Sequence, residues 1–212
     1  MDLLVLSGGR HAYHETTPIL VDFVRAAGHG VEVTEDASAL VSDGMKAHDA
    51  VVFNTRRTEE LTLAEYERAA LAQFIGGGKG FACIHIAGCW PDDWHDYHDI
   101  TGGGWVPGSS VHPPYGEFTV EVRGVGHPCA RDLTDFVTSD ELYYKLAWKP
   151  GNAVFLTTRF DGADQPMAWT RPHGSGRVFT TALGHDGLSF QTSGFQRLIL
   201  NGIAWATRAD ER

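Results

Sequence analysis

Residues 80–88 read Gly80-Phe81-Ala82-Cys83-Ile84-His85-Ile86-Ala87-Gly88. The run 81–86 is apolar except for His85 and lacks the alternation of a half-exposed strand. That is the pattern of a central parallel strand covered on both faces. Just upstream, Thr62-x-x-Glu65 reads as a capping box opening a helix through Tyr66, Ala69, Ala70 and Phe74, stopped by Gly76-Gly77-Gly78. Earlier still, residues 50–53, 31–33 and 3–6 are short apolar strands, the last of them ending in Gly8-Gly9. Between the first two strands in chain order a helix is expected. It has Thr17 as cap, Pro18 in first place, Ile19, Phe23, Val24 and Ala27 on one face, and Gly28 as the stop. Strands spaced by helices imply right-handed βαβ units. The expected fold class is therefore α/β, a doubly wound, mostly parallel sheet with helices on both faces.

Downstream of Gly88 the pattern changes. Residues 89–115 are rich in Trp, Asp, His, Gly and Pro and keep no period. They are expected to form a long loop insertion after the fourth strand, and long loops in compact domains usually carry function. Residues 118–122 and 153–158 read as strands, and 167–170 with 177–182 as a hairpin around Gly174-Ser175-Gly176. Ser193 is expected to cap a last helix that buries Phe195, Leu198, Ile199, Gly202, Ile203 and Ala206. No repeat or linker interrupts residues 1–212, so a single domain is expected.

Composition narrows the function. The chain has 17 Lys and Arg against 27 Asp and Glu, a formal net charge of −10. It offers no basic stripe for neutralising phosphates, which argues against nucleic acid as a partner. At 42% hydrophobic and 21% charged it is neither disordered nor a coiled coil. No stretch nears the roughly 18 apolar residues of a membrane span, and residues 1–9 lack the basic start of a signal peptide. Cys83, Cys89 and Cys129 form no CxxC pair, so neither a zinc knuckle nor a disulfide framework is expected, and a reducing cytoplasm fits best. Two excesses remain. There are 11 His, and 25 Gly where a usual share of about 7% would give about 15.

The rule that ligands sit beyond the carboxyl ends of parallel strands sorts the histidines. His11 and His14 follow strand one, His85 ends strand four, His112 lies in the insertion, and His185 follows the strand ending at residues 182–184. These five can share one rim, whereas His29 and His48 fall on the opposite side as ordinary surface residues. His85 on an apolar strand fits a satisfied core histidine as well as a catalytic one. Ser139-Asp140-Glu141-Leu142-Tyr143 pairs two carboxylates with a phenol, which suits acid/base work or polyol binding, and suits a solvated turn equally. Trp90, Trp94, Trp105 and Trp169 can be sugar platforms or core. Gly76-Gly77-Gly78-Lys79-Gly80 precedes a strand instead of a helix, so it is no phosphate loop. Ser7-Gly8-Gly9 is no nucleophile elbow, and Cys83, two residues inside its strand, is expected to be inert.

The residues 80–85, Gly102-Gly103-Gly104-Trp105 with His112, Gly126-His127-Pro128, Asp140-Glu141-Leu142-Tyr143, Met167-Ala168-Trp169 and Gly176-Arg177-Val178-Phe179 leading to Leu183-Gly184-His185 carry a resemblance. In order and spacing, from Leu3 to Trp205, the chain resembles the ThuA-like family, named for trehalose utilisation. The resemblance implies a flavodoxin-like fold similar to class I glutamine amidotransferases. It departs from those enzymes at the nucleophile: their Gly-x-Cys-x-Gly elbow is matched here by Cys83-Ile84-His85-Ile86-Ala87, which puts His85 in the cysteine's place. His185 matches their histidine. Imidazole does not replace thiolate in forming a glutaminyl thioester, so amidotransferase activity is not expected. The family's link is to catabolism of trehalose and related keto-sugars.

The leading expectation is an enzyme of carbohydrate metabolism, an acid/base hydrolase or isomerase. Its catalytic residues would be His85, Glu141 and His185, and its substrate would lie against His11, His14, Trp105, His112, Tyr143 and Trp169. A variant adds a divalent metal such as zinc on His85, His112 and His185, with Glu141 nearby. A non-catalytic sugar-binding module is the alternative, and an oligomeric scaffold a third reading. The expected partner is a small-molecule carbohydrate, with a homo-oligomer left open and no nucleic acid or membrane.

Overall fold

Strand β4 (Gly80–Cys83) lies fully buried near the centre of a ten-stranded sheet in a computed structural model. The structure describes residues 1–58, 61–85, 94 and 96–211, together with the backbone of 88–89. Parallel to β4 run β12 (Gly176–Thr181) on one side and β3 (Ala50–Arg57) on the other, followed by β1 (Asp2–Gly9) and β2 (Gly30–Thr34). Two-residue β5 (Gly88–Cys89) extends β3. Beyond β12 the sheet turns antiparallel through β11 (Ala163–His173), β10 (Ala153–Phe160), β7 (Gly116–Val122) and β8 (Phe136–Asp140). Five pairings are parallel and four antiparallel, so the sheet is mostly parallel by a small margin.

Alternation along β1 shows why the parallel half is buried on both faces. Leu3 and Val5 enter one core with Leu20 and Val24 of α1 (Tyr13–Ala26) and Phe195, Leu198, Ile199 and Ile203 of α5 (Ser193–Ala206). Leu4 and Leu6 enter the other, with Leu71, Phe74 and Ile75 of α2 (Glu65–Gly76). Residues on opposite faces thus each meet a helix layer, the doubly wound arrangement.

Several boundaries move. Helix α1 begins at Tyr13 and has no side-chain cap; Thr17 and Pro18 lie inside it. Thr17 instead bonds Ser7 Oγ at 2.6 Å and receives the Asn54 amide, tying helix to sheet. The expected box does not form: α2 is capped at Ala64, which has no side-chain acceptor, and Glu67 accepts from the Ala64 N–H at 2.8 Å. Ser193 is the first residue of α5, and Thr192 before it makes no side-chain cap. Strand β4 stops three residues short of the expected end, because Ile84 bends away and His85 takes φ +55°. The segment expected as a structureless insertion contains α3 (Tyr97–Thr101) and β6 (Gly103–Gly104), the latter paired with β9 (Ala147–Trp148). Trp90 lies outside the described residues. Strand β8, unread from the sequence, closes the antiparallel half, and α4 (Gly187–Gln191) packs against it. Among the described residues no helix is long and apolar enough to cross a membrane.

One glycine ties β1 to β3 at the rim. Gly9 holds φ +105°, and a Cβ there would overlap the Arg56 carbonyl oxygen, which also accepts the Arg10 N–H at 3.2 Å. Gly9→Ala is therefore expected to destabilise the fold by about 2 kcal/mol or more. A urea midpoint equal to wild type would refute this close approach.

Candidate active site

The cleft opens at the carboxyl ends of β1, β3, β4 and β12, and its volume is about 510 Å³. Local backbone features aim each side chain. His85 sits in the left-handed turn after β4; its N–H donates to Leu183 O at 3.1 Å and its Nδ1 lies 2.9 Å from Ala182 O. A carbonyl only accepts, so Nδ1 carries the proton and Nε2 presents a lone pair to the cleft. Tyr143 Oη meets that Nε2 at 2.8 Å and Glu141 Oε2 at 3.0 Å.

His185 is locked from both sides. Gly184 before it holds φ +116°, where a Cβ would lie 2.8 Å from Ile84 Cγ2, and Asp186 after it caps α4 by accepting from Leu188 and Ser189 N–H. The buried Asp140 carboxylate completes the arrangement. It accepts N–H groups from Gly184 at 2.7 Å, His185 at 3.1 Å and Glu141 at 2.8 Å. One carboxylate from the end of β8 thus holds the backbones of Glu141 and His185 together. Burial pushes Asp140 up to about 7, against those three donors.

Glu141 is the centre of the charge arrangement. His185 Nδ1 lies 3.0 Å from its Oε2, His85 Nε2 3.9 Å from Oε2 and His112 Nε2 3.7 Å from Oε1. Burial pushes the Glu141 carboxyl up, but contact with His185 and the Tyr143 hydroxyl outweighs it and holds the group at about 2. Burial pulls His185 down, and Glu141 with the neighbouring aspartates overrides this and raises it. His85 is held well below its usual value, chiefly by burial and then by His11 and His185. His11 falls to about 4, first through burial and then through His185. Burial also pushes the Tyr143 hydroxyl up, so it remains a donor.

His11, His85 and His185 stand with their rings nearly perpendicular to one another (80°, 85° and 77°) and centroids 4.4–5.4 Å apart. Ligand atoms of these three and Glu141 lie within 4.8 Å of one another, the composition of a divalent-metal site. His185 Nδ1 is also buried without an aligned hydrogen bond despite the nearby carboxylate. The metal set expected from sequence therefore changes. His112 stays outside the group, exposed on the wall with Nδ1 2.8 Å from Pro113 O, and His11 takes its place.

Of the residues expected to touch substrate, His11, Trp105, His112 and Tyr143 line the cleft. Trp105 packs 4.6 Å from Tyr143, centroid to centroid. His14 and Trp169 do not line it. His14 is the second residue of α1, exposed beside Glu15, because the helix starts early and turns it outward. Trp169 is fully buried, and its indole N–H donates to Thr101 O at 2.7 Å, so it serves the core. Arg10, Arg56, Thr58 and Tyr13 line the cleft and were not read from the sequence, although Arg10 and Arg56 end or follow strands one and three. Cys83 lies sealed beneath the site: it is fully buried, 3.3 Å from Tyr97 Oη, and burial pushes its thiol up to about 12.

A doubly wound sheet with a histidine-rich cleft at its strand ends defines an α/β protein with a Glu–His centre at the rim. The chain belongs to the ThuA family: the family model, described as trehalose utilisation, matches residues 2–206. A ThuA-like protein from Parabacteroides merdae superposes with a TM-score of 0.82 at 21% identity, covering 98% of this chain and 90% of that one. A cytoplasmic protein from Salmonella typhimurium gives 0.69 at 13% identity, covering 97% and 99%. A cold-adapted β-galactosidase from Rahnella sp. R3 gives 0.69 at 14% identity, with 98% of this chain covering 31% of that one. These likenesses are of fold. Comparison with curated proteins finds no match.

Asp140 provides a test of the joint. Its folded pKa lies above the ordinary carboxyl value, so the stability it contributes is present at low pH and lost as pH rises through about 7. Asp140→Asn fixes a neutral group there. Its stability relative to wild type, from urea melts, should rise between pH 4 and pH 8, whereas a flat difference would show that the carboxyl is not raised.

Proposed function

We propose that the protein is an enzyme of carbohydrate metabolism that acts on a sugar or keto-sugar by acid/base chemistry, as a hydrolase or isomerase. The observation that carries this reading is the Glu141–His185 pair at 3.0 Å in an open cleft. A carboxylate held ionised faces an imidazole whose pKa it raises, which sets a base beside an acid. In this mechanism Glu141 removes a proton from the substrate and His185 supplies one to the oxygen that gains charge. The Tyr143 hydroxyl gives its one proton to Glu141 or to His85 Nε2 and accepts from a substrate hydroxyl. His85, with Nε2 bare, accepts from a substrate hydroxyl or from Tyr143. Trp105 offers a ring face for the apolar side of a sugar, and His112 adds a polar edge at the mouth. The family's description as trehalose utilisation supports the carbohydrate class. A reducing compartment remains our reading, supported by buried free thiols at Cys83 and Cys129.

Glu141→Gln keeps the shape and removes the base. Turnover of a panel of disaccharides and their keto derivatives should fall by roughly 10²–10⁴ while affinity persists. Wild-type protein that binds a sugar without converting any would instead identify a binding module. The rate should hold down to about pH 3, above the Glu141 value, and decline only on the alkaline side, above the usual histidine range, as His185 loses its proton.

A second reading is favoured by the three perpendicular imidazoles and the unaligned His185 nitrogen. Here His11, His85, His185 and Glu141 hold a divalent ion such as zinc, which would supply Lewis acidity and an activated water. The ring Nδ1–H of His85, bonded to Ala182 O, is the kind of contact that orients such ligands. Untagged protein stripped with chelator and titrated with zinc should take up about one equivalent, which His11→Ala and His185→Ala both weaken by about 10-fold or more. Uptake that survives both substitutions excludes this set.

A further inference from the structure

Among the described residues, the charges lining the cleft are opposite in balance to those of the whole molecule. The chain carries a net charge of −10, yet the described lining holds Arg10 and Arg56 with one carboxylate, Glu141, which is already engaged by His185. The two arginines are built as neighbours. Arg56 sits in β3 opposite Gly9 of β1, and the Arg10 N–H donates to its carbonyl at 3.2 Å. Their position is enforced by the same close approach that excludes a side chain at Gly9.

Arg56 differs from most other arginines of the chain. Arg57, next to it, is buried and donates to Ser7 O and Glu35 O, while Arg159 and Arg177 pair with Asp164 and Glu211. Arg56 has no ion-pair or side-chain hydrogen-bond partner among the described residues. Its charge reaches into the site, where it lowers His11 and opposes the rise of Tyr143. A neutral polyol gives a guanidinium little to bind. A planar fork of N–H donors matches the two oxygens of a carboxylate or phosphate.

Building on the carbohydrate reading above, we propose that the substrate is an acidic sugar, whose carboxylate or phosphate docks on Arg56 beside Arg10 while its reacting carbon lies over Glu141 and His185. The Arg56 end of the cleft then fixes which way round the sugar lies, and Glu141 acts on the carbon presented to it.

Calorimetric titration tests this with five probes: glucose, glucuronate, gluconate, glucose 6-phosphate and malonate. At least one acidic sugar should bind ~10-fold or more tighter than glucose, with affinity falling as salt is added, since such charge-assisted bonds are worth that much. Glucuronate or gluconate against glucose 6-phosphate tells a carboxylate site from a phosphate site. Arg56→Gln should bring the ratio of acidic to neutral sugar close to one. Arg56 is exposed and has no side-chain partner among the described residues, so the variant should melt like wild type. Equal affinities for glucose and the acidic sugars, or a preference that survives Arg56→Gln, would overturn the proposal and leave the carbohydrate reading standing. Arg56-dependent binding of malonate alone would retain the anion site and overturn the carbohydrate reading. Binding of none of the five would overturn both.

Discussion

Three backbone N–H groups converge on one buried carboxylate, and the arrangement of the cleft depends on that convergence. Asp140 belongs to the outermost antiparallel strand, yet its acceptors hold Gly184 and His185 at the end of the innermost parallel region. The same oxygen that takes the His185 N–H takes that of Glu141. Without it, buried N–H groups would be left unpaired at about 1–3 kcal/mol each. The Glu141–His185 pair therefore stands on a seam between two halves of one sheet. Neither half contains it alone.

The division of labour follows from that seam. The parallel half contributes His11, Arg56 and His85 from consecutive strand ends, the usual location of ligands in such sheets. The antiparallel half contributes Glu141 and Tyr143. The wall bearing Trp105 and His112 is pinned to the same stretch, because β6 pairs with β9 and Val111 bridges to Tyr144. Pocket wall and Glu141 are thus carried on two chain segments joined to each other by backbone hydrogen bonds.

The parallel strands and the rim were legible in the sequence because apolar runs and chain order determine them. The doubly wound order, the final hairpin and the grouping of His11, His85 and His185 all follow from that logic. What stayed hidden depends on backbone geometry that residue types do not display. Asp140 and Glu141 look like a matched pair, but Asp140 is the last residue of a strand and turns inward to the backbone, while Glu141 just past it faces the cleft. Strand β8 itself was missed since its buried positions are Thr138 and Asp140, not apolar residues. Helix α1 starts early without a capping side chain, which removes the signal that would have placed its beginning and takes His14 off the rim. Trp169 sits between strands that bury both faces, so its aromatic character went to the core.

The buried thiol at Cys83 has a consequence for where such a centre can operate. Two residues before the turn that presents His85, the sulfur is sealed under the sheet and held in its unreactive form. Alkylating agents and mild oxidants attack thiolates. An enzyme that presents sulfur at this turn is open to inactivation by peroxide, whereas imidazole and carboxylate are spared that chemistry. In this chain the turn after β4 presents the His85 imidazole, and the sulfur beneath it lies out of reach of such reagents.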